Sequence, residues 1–374
     1  MSENNMIQLY PLNWLYNAGV VGFLSCLDRE DYLKKEDNSK NIEKYTIKNE
    51  VVNINKEIFE RIKIEENYFE NGKVVNLKGK NSNYPNFIDA KGKQKDIFIQ
   101  FVKLFSKNNL ESECFICSKG IYINEGMITE NISGKKESPK EKFLNKIKEL
   151  DMVHNKLLGP SDTFPNSYWN LNDKFKICHL CSFILIHHHL AFTTLSDGSE
   201  IFINAPSFKV MYELNKLVKE LFGSGRGDSK QKREILAMSI VEYTRRIQVT
   251  LAQWTSMNIE IVIKHQNSID FYNLPYETIS LISDREIASL LSDIGEFSVL
   301  NCILDGKISE LLNMAGHLTR ISIKKEKNKS DNALINNLIK KEINRNNINK
   351  ISQKLLKLYA KIKERREKYA GAEG

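Results

Sequence analysis

Four of the chain's six cysteines fall into two identical spacings, Cys114-Phe115-Ile116-Cys117 and Cys178-His179-Leu180-Cys181. A two-residue gap lets both thiolates of a pair turn onto one ion, so two such pairs supply the four sulfurs of a tetrahedral zinc site. Sixty residues separate Cys117 from Cys178, against about 15–20 in a compact zinc ribbon. Two distant segments must therefore meet, with an insertion mounted between them. Four Cys donors leave no open coordination position, so the expected zinc is structural and stabilises its domain instead of catalysing. A disulfide is disfavoured in a reducing cytosol, and a thioredoxin-like redox site uses one such pair, not two. Cys26 and Cys302 lie in apolar surroundings and read as small buried hydrophobes.

At 374 residues, with 41% hydrophobic and 27% charged, the chain has the composition of a globular protein of two or three domains. No apolar run approaches the ~20 residues of a membrane span, and Met1-Ser2-Glu3-Asn4-Asn5 does not resemble a secretory leader. A cytoplasmic protein with no membrane partner is expected. The net charge of +8 is uneven: Lys324 to Lys368 holds fifteen basic and five acidic residues, leaving 40 basic and 42 acidic elsewhere. A near-neutral body with a basic tail points to a polyanionic partner.

Patterning predicts an α+β protein of several domains. Pro11 to Leu24 reads as a buried helix capped by Asn13, with Ala18, Gly19 and Gly22 leaving room for a close neighbour. A strand over 47–54 and a helix over 56–64 follow, then a polar loop at 76–85 and an apolar helical pattern at 98–105. Residues 130–142 read as a charged surface loop. Asp197-Gly198 between β-prone flanks marks a hairpin. The next helix has Phe208, Met211, Leu214, Val218 and Leu221 on one face and Gly223 as its stop. Gly223 to Ser229 is a flexible break. The domains expected are therefore 1–222, a zinc-stapled N-terminal α+β domain; 223–323, a smaller α/β domain; and 324–374, a basic helical tail.

Weaker features carry less. His187-His188-His189 cannot all face one ion, because adjacent side chains diverge, so a structural role is expected. Lys78, Lys80, Asn81 and Asn83 sit in a loop able to enter a groove, with a plain solvated loop as the bland alternative. Arg226, Lys230, Lys232, Arg233, Arg245 and Arg246 place positive charge around one helix, suited to a phosphate backbone or simply to solvent. No dinucleotide fingerprint, phosphate loop, metalloprotease or nucleophile-elbow motif is present.

Three landmarks coincide: Trp14-Leu15-Tyr16-Asn17-Ala18-Gly19-Val20-Val21-Gly22, the widely separated CxxC pairs, and Phe192-Thr193-Thr194 leading to Asn204-Ala205-Pro206-Ser207. Together they resemble the CXXC–CXXC family of large subunits of type I-B CRISPR effector (Cascade) complexes, over most of Leu9 to about Leu221. The resemblance implies a non-catalytic subunit near the 5′ end of the guide RNA. Such a subunit recognises the protospacer-adjacent motif in double-stranded target DNA, contacts the other subunits and engages a helicase-nuclease acting in trans. It also implies Cys114, Cys117, Cys178 and Cys181 as metal ligands. Family members often end in a helical bundle, whereas this chain stops soon after two tail helices. The rival expectation is a zinc-containing nucleic-acid-processing enzyme, a nuclease or modifying enzyme.

Overall fold

A computed structural model describes residues 5–34, 43–48, 50–69, 75, 93–107, 110–111, 113–129, 138–151, 174–223, 232–247, 258–265 and 269–370. The chain is mixed helix and sheet, as expected, and divides into two compact units. The first comprises Met1–Thr194, Gly198–Asn215 and Val262–Asp270; the second comprises Leu195–Asp197, Lys216–Ile261 and Phe271–Gly374. The expected tail, 324–374, therefore falls within the second unit.

In the first unit, strand β1 (Met6–Leu9) leads into helix α1 (Trp14–Leu27). The Asn13 side chain caps α1 by accepting the Tyr16 N–H at 2.9 Å. Every residue of α1 except Trp14 and Ser25 is buried, which is what a helix apolar on all sides requires. The strand expected over 47–54 is two strands, β2 (Tyr45–Lys48) and β3 (Val51–Asn55), paired antiparallel with Lys48 opposite Val51. They form a sheet of order β1-β3-β2. The helix expected over 56–64 is broken as well. Helices α2 (Ile58–Arg61) and α3 (Ile64–Tyr68) are separated by an extended Ile62, which bridges to Leu33. Here a tertiary backbone pairing overrides local helix preference.

Helix α4 (Lys93–Lys103) matches the apolar pattern read at 98–105. Strands β4 (Leu110–Glu111) and β5 (Ile121–Tyr122) pair, then α5 (Pro139–Lys148), β6 (Glu149–Asp151) and β7 (Lys174–Lys176) lead to α6 (His179–Leu185). Part of the charged loop expected at 130–142 is thus the start of α5; residues 130–137 lie outside the described residues. The Asp-Gly hairpin joins β8 (Thr193–Thr194) to β9 (Glu200–Asn204), with Gly198 at φ +79°. Strands β10 (Glu260–Lys264) and β11 (Ile269–Asn273) extend this sheet in the order β11-β10-β9-β8. Helix α7 (Phe208–Phe222) stops before Gly223, as read from the sequence. Asn215 on α7 fastens to β9, its amide bonding the Ile203 N–H and carbonyl at 2.8 and 2.7 Å.

The first unit's core is aromatic. Phe183 on α6 has its ring within 5.4–5.9 Å of Phe23, Phe59 and Phe105, with all four fully buried. Offset and edge-on contacts of this kind add to burial.

The second unit is helical: α8 (Lys232–Ile247), α9 (Tyr276–Ile282), α10 (Arg285–Ile294), α11 (Phe297–Leu304), α12 (Ile308–Ser322), α13 (Lys329–Leu338), α14 (Glu342–Arg345) and α15 (Ile348–Ala370). Helix α15 buries Ile351, Leu355, Leu358 and Ile362, and packs along α12 and α10. Among the described residues no helix is long and apolar enough to cross a membrane.

Candidate metal centre

The first cysteine pair is built by a knuckle. Strands β4 and β5 close a short antiparallel ladder around Cys114–Cys117. The Ser118 N–H returns to the Cys114 carbonyl at 2.9 Å and the Lys119 N–H to the Cys117 carbonyl at 2.7 Å. Such a tight reversal needs left-handed backbone, present at Ser118 (φ +62°) and Gly120 (φ +81°); glycine adopts it without strain. The second pair is built by a helix start. Cys178 is the extended N-cap of α6, and Cys181 lies in that helix's first turn.

The two halves are stitched together by backbone. The Phe115 N–H donates to the Lys176 carbonyl at 3.0 Å, and the Cys178 N–H to the Cys114 sulfur at 3.2 Å. Gly120 N–H to Cys117 Sγ (3.1 Å) and Cys181 N–H to Cys178 Sγ (3.3 Å) complete a shell of amide donors on sulfur. All four Sγ atoms lie within 4.8 Å of one another, so they could hold one metal ion. Three of the cysteines are buried and Cys117 is half-buried.

The thiols disagree over their protons. Hydrogen bonding from Cys117, then from Cys178 and Cys181, pulls the Cys114 thiol far down. Cys117 is pushed up by Cys114 but pulled down by Cys178 and Cys181, with a net fall. Cys178 and Cys181 are driven up, first through Cys114 and then through Cys117. Four sulfurs this close cannot all ionise against one another. A cation among them removes that repulsion and makes all four thiolate donors. The donor set therefore fits a single ion.

His179, which sequence reasoning passed over, locks the knuckle to the helix. Its Nδ1 accepts the Ile123 N–H at 2.9 Å, so the proton sits on Nε2, 3.5 Å from Glu125 Oε1. Its fully buried ring lies 4.9 Å from Tyr122 and 5.6 Å from Phe101. Burial, reinforced by Cys114, pushes the Tyr122 hydroxyl up to about 12, so it stays a neutral donor to the Ile177 carbonyl at 3.1 Å. The available signal was the histidine inside the second cysteine pair, Cys178-His179-Leu180-Cys181.

The three landmarks of the sequence meet on α1. Gly19 and Gly22 face the α6 segment so closely that an added Cβ would stand 2.7 Å from the Ile184 carbonyl oxygen and 2.1 Å from that of His187. Trp14 meets Phe192 edge-on at 6.3 Å. The Asn17 amide donates to the Asn204 side chain at 2.8 Å and to the Leu12 carbonyl at 2.9 Å. The histidine run is buried. His187 bonds the Phe183 carbonyl (2.9 Å) and the Tyr68 hydroxyl (2.8 Å), and His188 bonds the Leu185 carbonyl (2.8 Å).

The basic candidates are placed differently. Lys78, Lys80, Asn81, Asn83, Arg226 and Lys230 lie outside the described residues. The other four all face carboxylates: Lys232 pairs with Asp197, and Arg233 with Asp305 at 2.6 Å. Arg245 reaches Glu242 at 3.5 Å, and Arg246 grips both Glu220 oxygens at 2.9 Å and Glu242 at 3.4 Å. A phosphate arriving there competes with a carboxylate already present. No family model matches the chain, and no curated protein or solved structure matches it either.

Proposed function

We propose that the chain is the non-catalytic large subunit of a type I-B RNA-guided CRISPR interference complex, with a structural zinc ion on Cys114, Cys117, Cys178 and Cys181. The observation that carries this reading is the convergence of four thiols from segments sixty residues apart. The segment that carries Cys178 and Cys181 lies directly against Gly19 and Gly22 of the Trp14–Gly22 stretch, which shares the family resemblance. Four sulfur donors in one closed set suit zinc or an iron–sulfur cluster; zinc fits a rigid platform that does no redox work.

The physics of such a subunit is modest. Base pairing with the guide RNA reads the target sequence, so the protein reads only the adjacent motif in duplex DNA and holds the strands by their backbones. In this reading the 78–83 loop and the Arg226 to Arg246 cations touch nucleic acid, the chain works in the cytoplasm, and a helicase-nuclease cuts in trans. The test is purification of the tagged chain from its own cells, with metal analysis and sequencing of bound RNA. One colourless zinc per chain, short RNAs of common 5′ sequence and co-purifying subunits support the reading. Metal-dependent turnover of nucleic acid by the chain alone overturns it.

A further inference from the structure

The basic tail is not uniformly free. Helix α10 and its N-cap Asp284 carry a row of carboxylates that takes up cations of α15, in opposite order along the two helices. Lys354 pairs with Asp293 at 3.1 Å, Lys361 with Glu286 at 2.7 Å, and Arg365 reaches Asp284 at 3.8 Å. Lys350 and Lys357 are exposed and have no carboxylate or hydrogen-bond partner among the described residues. Residues 350, 354, 357 and 361 follow the i, i+4, i+7, i+11 rule that places side chains on one helical face. The row spans about 16 Å at 1.5 Å per residue.

We infer that Lys350 and Lys357, the two uncommitted cations of this row of α15, form a docking surface for the phosphate backbone of a nucleic acid, a surface outside the residues assigned above to that contact. The inference rests on the proposed function and names a place for its partner. Three features select a phosphate backbone. The cations repeat at regular intervals along a rigid rod, as phosphates do along a strand. The apolar side, Ile351, Leu355, Leu358 and Ile362, is already buried, so the helix has no greasy face to insert into a bilayer. Lys350 and Lys357 are long and uncommitted among the described residues, whereas Lys354 and Lys361 of the same face, like Lys232, Arg233, Arg245 and Arg246, are each held by acids.

The experiment measures binding of the purified full chain to fluorescent DNA and RNA oligonucleotides, single- and double-stranded, across a potassium chloride series. Each phosphate neutralised contributes about 0.9 to the slope of log K against log salt on duplex DNA. The K350E/K357E pair is expected to lower that slope by about 2 and to weaken binding at least about tenfold near 0.1 M salt. The milder K350Q/K357Q pair, which keeps the helix's size and polarity, lowers the slope in the same direction. Metal content and thermal unfolding stay at the wild-type values. Equal slopes in wild type and variants, or no binding by the wild type, overturn the inference. Equally tight, equally lysine-dependent binding to polyglutamate also overturns it, giving the surface to an acidic protein. A chain that carries guide RNA from cells yet shows unchanged slopes overturns this inference alone and leaves the functional reading standing.

Discussion

A methyl group on Gly22 would stand 2.1 Å from the carbonyl oxygen of His187. Glycine at this position lets α1 lie directly on the backbone of the segment that carries Cys178 and Cys181. In an ordinary helix interior, replacing Gly by Ala is stabilising by roughly 0.5–1 kcal/mol. Here the sign reverses, because backbone must move and overpacking costs about 1–3 kcal/mol or more. Gly22→Ala is therefore expected to lower the unfolding midpoint. Gly316→Ala, in α12, is the internal control, since an added Cβ there meets nothing within 4 Å; it should raise the midpoint. Thermal unfolding of the two variants side by side checks the contrast.

If the four thiols hold the proposed ion, removing it should cost more than removing any one contact. Among the described residues the two cysteine pairs are joined by the Phe115–Lys176 backbone bond, the Cys178 N–H on the Cys114 sulfur and the contacts of Tyr122 and His179, and the binding energy of a structural metal is folding energy. Cys181→Ser is expected to abolish stoichiometric metal and to lower stability by several kcal/mol, roughly what loss of a structural metal entails. Chelation of the wild type should reproduce that loss. A thiol reagent should modify Cys117 first, because it is the only half-exposed member of the set. Mass spectrometry of partially labelled protein reads the order; first labelling at buried Cys178 would contradict the packing seen here.

Much of this site is legible in the sequence, for identifiable reasons. The cysteine spacing predicts convergence because ligand chemistry fixes it. Asn13, Gly19 and Gly22 predict a capped, closely packed helix because each residue does one thing that others cannot. The Asp197-Gly198 turn and the Gly223 stop are legible for the same reason. What could not be read is tertiary. Ile62 looks helical until Leu33 pairs with it, and Arg246 looks available until Glu220, on another helix, grips it. Ser138-Pro139-Lys140-Glu141 is a legible helix start inside the stretch expected as a loop: Ser138 and Glu141 form a reciprocal cap, at 3.2 and 2.9 Å, around a Pro at the first helical position.

The buried hydroxyl chain gives an asymmetric prediction. His187 Nδ1–H donates to the Phe183 carbonyl, so Nε2 must accept from Tyr68, and Tyr68 in turn accepts from Tyr32. Tyr68→Phe leaves two buried groups without partners, His187 Nε2 and the Tyr32 hydroxyl, at about 1–3 kcal/mol for each unsatisfied group. Tyr32→Phe removes only the terminal donor, and Tyr68 keeps its bond to His187. The first variant should therefore be clearly less stable than the second in denaturant unfolding. Equal losses would show that the chain is not oriented this way.

Acid should unfold the first unit through its histidines. Burial, the leading cause, pushes His187 and His188 down to about 3, while the unfolded chain protonates them near 6.5. Between those limits the unfolded state binds protons that the folded state refuses, so stability falls as pH falls. Above about pH 6.5 neither state is charged at these positions and the effect vanishes. Within the window each imidazole contributes a slope approaching about 1.4 kcal/mol per pH unit. Protonation of the metal-site thiols adds to the acid sensitivity, so the informative quantity is a difference. His188→Gln should show a shallower loss of stability between pH 6 and pH 4 than the wild type, by about one such slope, while the thiol contribution is common to both. Denaturant unfolding at a series of pH values measures it, and parallel curves would show that His188 is already charged in the folded protein.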